Sequence, residues 1–293
     1  MQIGGLQKLT LIDYPGKIAC AVFLVGCNFR CPFCHNPKLV LQGKIKEQDC
    51  PPKFLQNKNL CRAKISEKDF FDFLKKKQNL IEGVVISGGE PTTEQGLPNF
   101  IEKIKKLGYL VKLDTNGTNP KMLKKIIEAK LIDYAAMDIK APIGAKVQSA
   151  KCKVPYMAEP FNAEPSAYSL TDQPNKGFKP SGYRQNDKLK FKNKYERAAG
   201  GKVDLSKIKK SIKIIKKSGI DYEFRTTVVP TIHTKKDIAQ IAKHISPSRR
   251  YYLQNFQSGK TLDPKYEKIK PFTEKQLNSM RKEANKYTFT ELR

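Results

Sequence analysis

Apolar residues along this chain fall into short continuous runs, which alternate with stretches where they recur three and four residues apart. Residues 18–25, Ile-Ala-Cys-Ala-Val-Phe-Leu-Val, are apolar throughout and bounded by Pro15-Gly16 and Gly26. Such a run predicts a strand buried on both faces. Ser66 then stands as an N-cap before a helix carrying Phe70, Phe71, Phe73 and Leu74. The pairing recurs. Residues 83–87 predict a strand, and Phe100, Ile101, Ile104 and Leu107 a helix closed at Gly108. Residues 109–113 give a third strand, followed by a helix that Pro120 opens and that carries Leu123, Ile126 and Ile127. A fourth strand lies within 132–139, and Asp204 caps a helix through Ile208, Ile212 and Ile215 to Gly219. Strands over 222–229 and 250–256 flank a helix over 233–245, and a last amphipathic helix covers residues 273–286. Repeated strand–helix units predict an α/β fold with a parallel sheet and right-handed crossovers. Six such units suit an open or partial barrel rather than a closed eightfold one, which needs more chain.

Two segments break this rhythm. Residues 44–64 are polar, without a clear period, and carry Cys50 and Cys61. Residues 146–194 hold five prolines but only four Ile, Leu or Val residues. That is too little apolar surface to offset ordering the backbone, so this segment is expected to be a mobile insertion in one domain spanning 1–293. Elsewhere the 293 residues, 39% hydrophobic, suffice for a core. No run approaches the ~18 apolar residues of a membrane span, and the early apolar run contains Cys20 and follows Asp13, unlike a signal peptide. A cytoplasmic protein without membrane attachment is expected. The charge is lopsided, 56 basic residues against 28 acidic, but 47 of the basic ones are lysines and only nine arginines. Lysines spread along amphipathic stretches such as 208–217 read as solvated helix faces. A surface that reads nucleic acid would lean on arginine's planar fork, so nucleic acid is not the expected partner.

Seven cysteines without a secretion signal argue against a disulfide scaffold. Three of them, Cys27, Cys31 and Cys34, form C-x3-C-x2-C just past the first strand. One such loop can wrap three corners of a cubane iron–sulfur cluster and leave the fourth iron open to a ligand. The alternative is structural zinc with His35 as fourth ligand, but adjacent Cys34 and His35 would struggle to chelate one tetrahedral ion. Other polar motifs fall at the carboxyl ends of predicted strands, where barrel chemistry sits. These are Ser87-Gly88-Gly89-Glu90-Pro91, whose glycines permit close backbone approach, then Asp114-Thr115-Asn116-Gly117 and Met137-Asp138-Ile139-Lys140, with Arg225 in a later strand.

With Gly88 lying 54 residues after Cys34, these motifs together resemble the radical S-adenosylmethionine (SAM) family. The resemblance covers most of the chain outside the two irregular segments. It implies a partial (β/α)6 TIM-type barrel, a [4Fe–4S] cluster on Cys27, Cys31 and Cys34, and SAM chelating the fourth iron. Reductive cleavage of SAM to a 5′-deoxyadenosyl radical would follow. The SAM-binding set implied by the likeness is Phe33, Gly88, Gly89, Glu90, Asp114, Asp138, Lys140 and Arg225. Glu90 would hold the ammonium, Arg225 would face the methionine carboxylate, and Asp114, Asp138 and Lys140 would lie near SAM and help bind a monovalent cation. Leu11-Ile12-Asp13-Tyr14-Pro15-Gly16-Lys17, with Cys34-His35-Asn36, looks more narrowly like activases of glycyl radical enzymes. Among these it is most similar to activating proteins of anaerobic ribonucleoside-triphosphate reductase. That likeness implies an oxidoreductase that abstracts a glycine hydrogen atom from the reductase and draws electrons from a flavodoxin or ferredoxin. Asp13 and His35 become candidate supports where the partner's loop enters. Cys50 and Cys61 complete no second cluster, which fits the reductase activases. The alternatives are a pyruvate formate-lyase type of activase, a small-molecule enzyme of the deazapurine synthase type, or a basic zinc-binding nucleic-acid module.

Overall fold

The computed structural model describes residues 1–40, 65–145 and 191–293. The irregular 44–64 loop, with Cys50 and Cys61, lies outside them, as does the 146–194 insertion, with Cys152, except for its last four residues. One eight-stranded sheet organises the rest, in the order β1 to β8. A hairpin opens it, β1 (Ile3–Thr10) running antiparallel to β2 (Ala19–Leu24). From β2 onward every pair is parallel: β3 (Gly83–Gly88), β4 (Leu110–Thr115), β5 (Tyr134–Asp138), β6 (Asp221–Val228), β7 (Tyr251–Asn255) and β8 (Thr290–Leu292). Among the described residues β1 and β8 do not pair with each other, so the sheet stays open. Six strand–helix units joined by crossovers make this a partial barrel, as the sequence pattern predicts.

The described helices in chain order are α1 (Pro37–Val40), α2 (Glu67–Lys76), α3 (Leu97–Lys106), α4 (Pro120–Glu128), α5 (Lys194–Ala199), α6 (Leu205–Lys217), α7 (Lys235–Ile245) and α8 (Glu274–Ala284). Their starts follow from side-chain chemistry. The Ser66 hydroxyl accepts from the Asp69 N–H, and the Asp204 carboxylate from the Ser206 N–H. Thr234 with Asp237, and Thr273 with Gln276, close reciprocal capping boxes on α7 and α8. Among the described residues no helix is long and apolar enough to cross a membrane.

Strand alternation sorts the residues into two layers. Cys20, Val22, Leu24, Val84, Ile86, Val111 and Leu113 pack into the main core with Ile101, Ile104, Leu123 and Ile126 of the covering helices. On the opposite face, Tyr14, Ala19, Ala21, Val85 and Tyr134 form a smaller apolar cluster towards the amino ends of the parallel strands. Further along that face, parallel register sets Asp138 beside Arg225 and aligns Asp114, Ala136 and Glu223 in one row. A polar set therefore occupies the carboxyl ends, above an apolar plug.

Candidate active site

The thiol loop leaves β2 at its carboxyl end and is tied down on several sides. The Glu90 N–H donates to the Gly26 carbonyl at 2.8 Å, and the Arg30 N–H to the Ala199 carbonyl at 2.8 Å. Leu262 and Asp263, downstream of β7, donate to the Cys34 and Pro32 carbonyls, both at 2.9 Å. Asn28 bonds to Asn116 and Thr118 beyond β4. Four distant parts of the chain thus fix one twelve-residue loop, from Gly26 to Pro37. Cys31 is 8% exposed, while Cys27 and Cys34 are partly open. Burial pushes the Cys27 thiol up to about 11 and the Cys31 thiol up to about 12. Each also feels the charge of Cys34, and Cys31 that of Cys27, so the three sulfurs share one neighbourhood. Among the described residues no group of three or more His, Cys, Asp or Glu side chains gathers as closely as one metal ion requires. Three thiols on one loop make an all-sulfur donor set, the chemistry that suits an iron–sulfur cluster.

The glycine motif lies against this loop. Gly88 has φ 115°, and a Cβ there would run into the Leu24 backbone; one on Gly89 would collide with the Gly26 carbonyl. Only glycine lets β3 turn this close to the start of the thiol loop. Glu90, expected to hold an ammonium group, is placed differently. It is 1% exposed, and its carboxylate accepts from the Thr92 N–H and hydroxyl, the Thr115 hydroxyl at 2.7 Å and the Asn116 N–H at 2.6 Å. Burial outweighs these donors and raises its carboxyl above the ordinary value. Here Glu90 braces the turn after β3 to the turn after β4.

Asp114, Asp138, Lys140 and Arg225 do come together, in one buried ionic network. Arg225 donates to Asp138 through Nε at 2.8 Å and to Asp114 through Nη1 at 3.3 Å. Lys112 donates to Asp114 at 2.7 Å, Ser87 to the same carboxylate at 3.0 Å, and Lys140 to Asp138 at 3.0 Å. Each of the four carboxylate oxygens thereby has a partner, and three of the four partner residues are cations. The residues present do not fit a further monovalent cation between them, because side-chain cations already supply that charge. Burial alone would raise the Asp138 carboxyl, but Arg225 and Lys140 hold it well below the carboxylate range. Lys112 and Glu223, both 0% exposed, belong to this network and escaped sequence reasoning. Glu223 accepts from Tyr134 at 2.9 Å and from Arg293 at 3.0 Å.

Below Lys140 lies a second unforeseen residue, His233, 2% exposed. Its Nδ1 accepts from the Val229 N–H at 3.0 Å, which leaves Nε2 to donate to the Lys140 carbonyl at 2.9 Å. The bond accepted at Nδ1 requires the neutral ring. Burial accordingly pushes the imidazole down to about 4. The unfolded chain, with an ordinary value of about 6.5, binds the proton first as pH falls. Stability from this group is therefore complete above about pH 6.5 and is lost towards pH 4, by up to ~3 kcal/mol. Urea unfolding at pH 7.5 and 4.5 should show a steeper loss in the wild type than in His233→Asn; equal slopes would refute the assignment.

Of the other expected residues, Phe33 is buried against Tyr266, ring centroids 6.4 Å apart. His35 stands beside the thiols and exposed, stacked on Phe256 at 5.4 Å. With Phe23, Asn36, Leu39 and Lys260 it lines a cleft of about 310 Å³. Asp13 is not brought to the site. The β1–β2 turn lies at the amino end of β2, and the six residues of that strand, about 20 Å at the usual rise, separate it from the thiol loop. There Asp13 accepts from the Thr10 hydroxyl at 2.6 Å.

Residues 21–142 match the model of the Radical SAM superfamily, a span that holds the three thiols, the glycine motif, Asp114, Asp138 and Lys140. A Methanocaldococcus jannaschii protein, provisionally named a glycyl-radical enzyme activating enzyme, is 30% identical over 288 residues, 97% of this chain and 92% of that one. The pyruvate formate-lyase-activating enzyme of Clostridium pasteurianum is 31% identical over 143 residues, 47% of this chain and 52% of that one. In fold, the chain resembles Streptococcus suis SuiB bound to S-adenosylmethionine, with a TM-score of 0.54 at 13% identity, covering 93% of this chain and 51% of that one. The chain belongs to the radical SAM superfamily, whose members use a [4Fe–4S] cluster and S-adenosylmethionine, and within it to the activating enzymes of glycyl radical enzymes.

Proposed function

We propose that this protein installs the glycyl radical of anaerobic ribonucleoside-triphosphate reductase. The observation that carries activation as such is the match over nearly the whole length of a glycyl-radical activating relative. The choice of partner rests on the Leu11–Lys17 motif, on Cys34-His35-Asn36 and on the absence of a ferredoxin-like cysteine set from the sequence. In this reading Cys27, Cys31 and Cys34 hold the cluster and leave one iron open. When bound, the cluster and SAM supply a 5′-deoxyadenosyl radical. The chain's own residues position and exclude. Gly88 and Gly89 let the β3 turn approach the thiol loop, and Phe33 walls it with an apolar ring. Arg225, flanked by Asp114 and Asp138, offers its remaining guanidinium nitrogen, Nη2, to the methionine carboxylate, with Lys140 beside it. His35 and the cleft next to it meet the partner's glycine loop, and electrons come from a flavodoxin or ferredoxin.

The test is electron paramagnetic resonance after the reconstituted, reduced protein and SAM are mixed anaerobically with the reductase. A glycyl doublet is expected, at up to one radical per reductase site. A doublet on pyruvate formate-lyase with none on the reductase would move the partner to the second type, and silence on both would point to a small substrate.

A further inference from the structure

Helix α5 brings one more side chain to the thiol loop. Asn193 caps it, and Gly200 ends it in the left-handed conformation at φ 69°. There Gly200 packs so closely that a Cβ would collide with the Arg30 carbonyl, while the Ala199 carbonyl accepts from the Arg30 N–H. One helical turn before Ala199, on the same face, stands Tyr195. Its side chain is 0% exposed and shares the core with Cys31, yet its hydroxyl makes no hydrogen bond of ordinary geometry among the described residues. A buried hydroxyl is seldom left so in a native interior.

The polar groups that act on this phenol are the Lys140 backbone, which faces the phenol oxygen and leaves its O–H free to donate, the Lys140 ammonium, the Cys31 thiol and the Asp138 carboxylate. Each oxygen acceptor among them already has one partner. The Asp138 oxygens accept from Arg225 and Lys140, and the Lys140 carbonyl pairs with His233. Among the described residues the Cys31 sulfur accepts from no donor. As a neutral thiol it is a weak acceptor; as a metal-bound thiolate it is a strong one.

We propose that Tyr195 is a positioning residue for the iron–sulfur centre: its phenol donates to the Cys31 sulfur once that sulfur is a ligand, and so raises the potential at which the centre accepts an electron. Hydrogen bonds to ligand sulfurs favour the reduced, more negative state. The proposal rests on the reading of Cys31 as a ligand.

Tyr195→Phe keeps the ring and removes only the hydroxyl. Without the cluster, its melting temperature should equal or slightly exceed that of the wild type, because an orphaned group is lost. With the cluster, a redox titration followed by electron paramagnetic resonance should show the reduced-to-oxidised ratio at fixed potential falling about tenfold, equivalent to 59 mV for one electron. Equal potentials in the two loaded proteins would overturn the proposal alone. A wild type that takes up no iron would overturn the ligand reading and this proposal with it. If the variant does not fold, 3-fluorotyrosine at position 195 gives the opposite test. A more acidic phenol donates more strongly, so the potential must rise; an unchanged potential refutes the role.

Discussion

Cys31→Ala protein, loaded anaerobically with iron and sulfide, is expected to lack visible charge-transfer absorption and to cleave SAM at background rate. The effect should be of that size because the loop offers only three sulfurs and Cys31 is the most buried. Its carbonyl also accepts from the Cys34 N–H at 3.0 Å, so the backbone that sets the spacing is locally ordered and survives the substitution. Cys20 is the internal control. It is equally apolar in setting, but it sits within β2 and outside the thiol loop. Cys20→Ala should cost about 1 kcal/mol of stability and retain both absorption and cleavage. A cluster of full intensity in Cys31→Ala, or its loss in Cys20→Ala, would show that the thiols have been assigned wrongly.

The second large effect concerns the ionic network. Arg225→Met should destabilise the fold by about 3–5 kcal/mol, the usual result of removing one partner from a buried ion pair. Arg225 is 11% exposed and serves two carboxylates that have 16% and 27% exposure themselves. Lys112 and Lys140 remain but cannot span the gap between Asp114 and Asp138. The sign with pH follows. In the wild type both carboxyls lie below their ordinary values, so their stability is present at neutral pH and is lost only in strong acid. In the variant the uncompensated charges are relieved by protonation, so its deficit should shrink as pH falls from 7 to 5. Adding Asp138→Asn to Arg225→Met should restore part of the loss by the same logic. A deficit below 1 kcal/mol in urea unfolding, or one that grows in acid, would refute this account.

What could be read from the sequence follows the physics of each element. Strands β2 and β3 are buried on both faces over most of their length and appear as apolar runs between turn residues. Ile3–Thr10 escaped notice because its strand lies at the sheet edge, with two glycines and three exposed residues in succession. Thr290–Leu292 is too short to carry a period. The motifs at the strand ends were legible because few residues can serve that chemistry. Asp13 was misplaced because a motif's spacing does not reveal at which end of a strand the chain turns. Glu90 was read for its charge, while its hydrogen-bond partners Thr115 and Asn116 stand 25 and 26 residues away. Lys112 was invisible for another reason: among 47 lysines, one that faces inward carries no mark.

The unpaired flanks of the sheet have a bearing on what can be attacked. A closed cylinder admits a chain only end first, or a molecule small enough to fall in. Where β1 and β8 stay unbonded among the described residues, the sheet keeps a side that no strand seals.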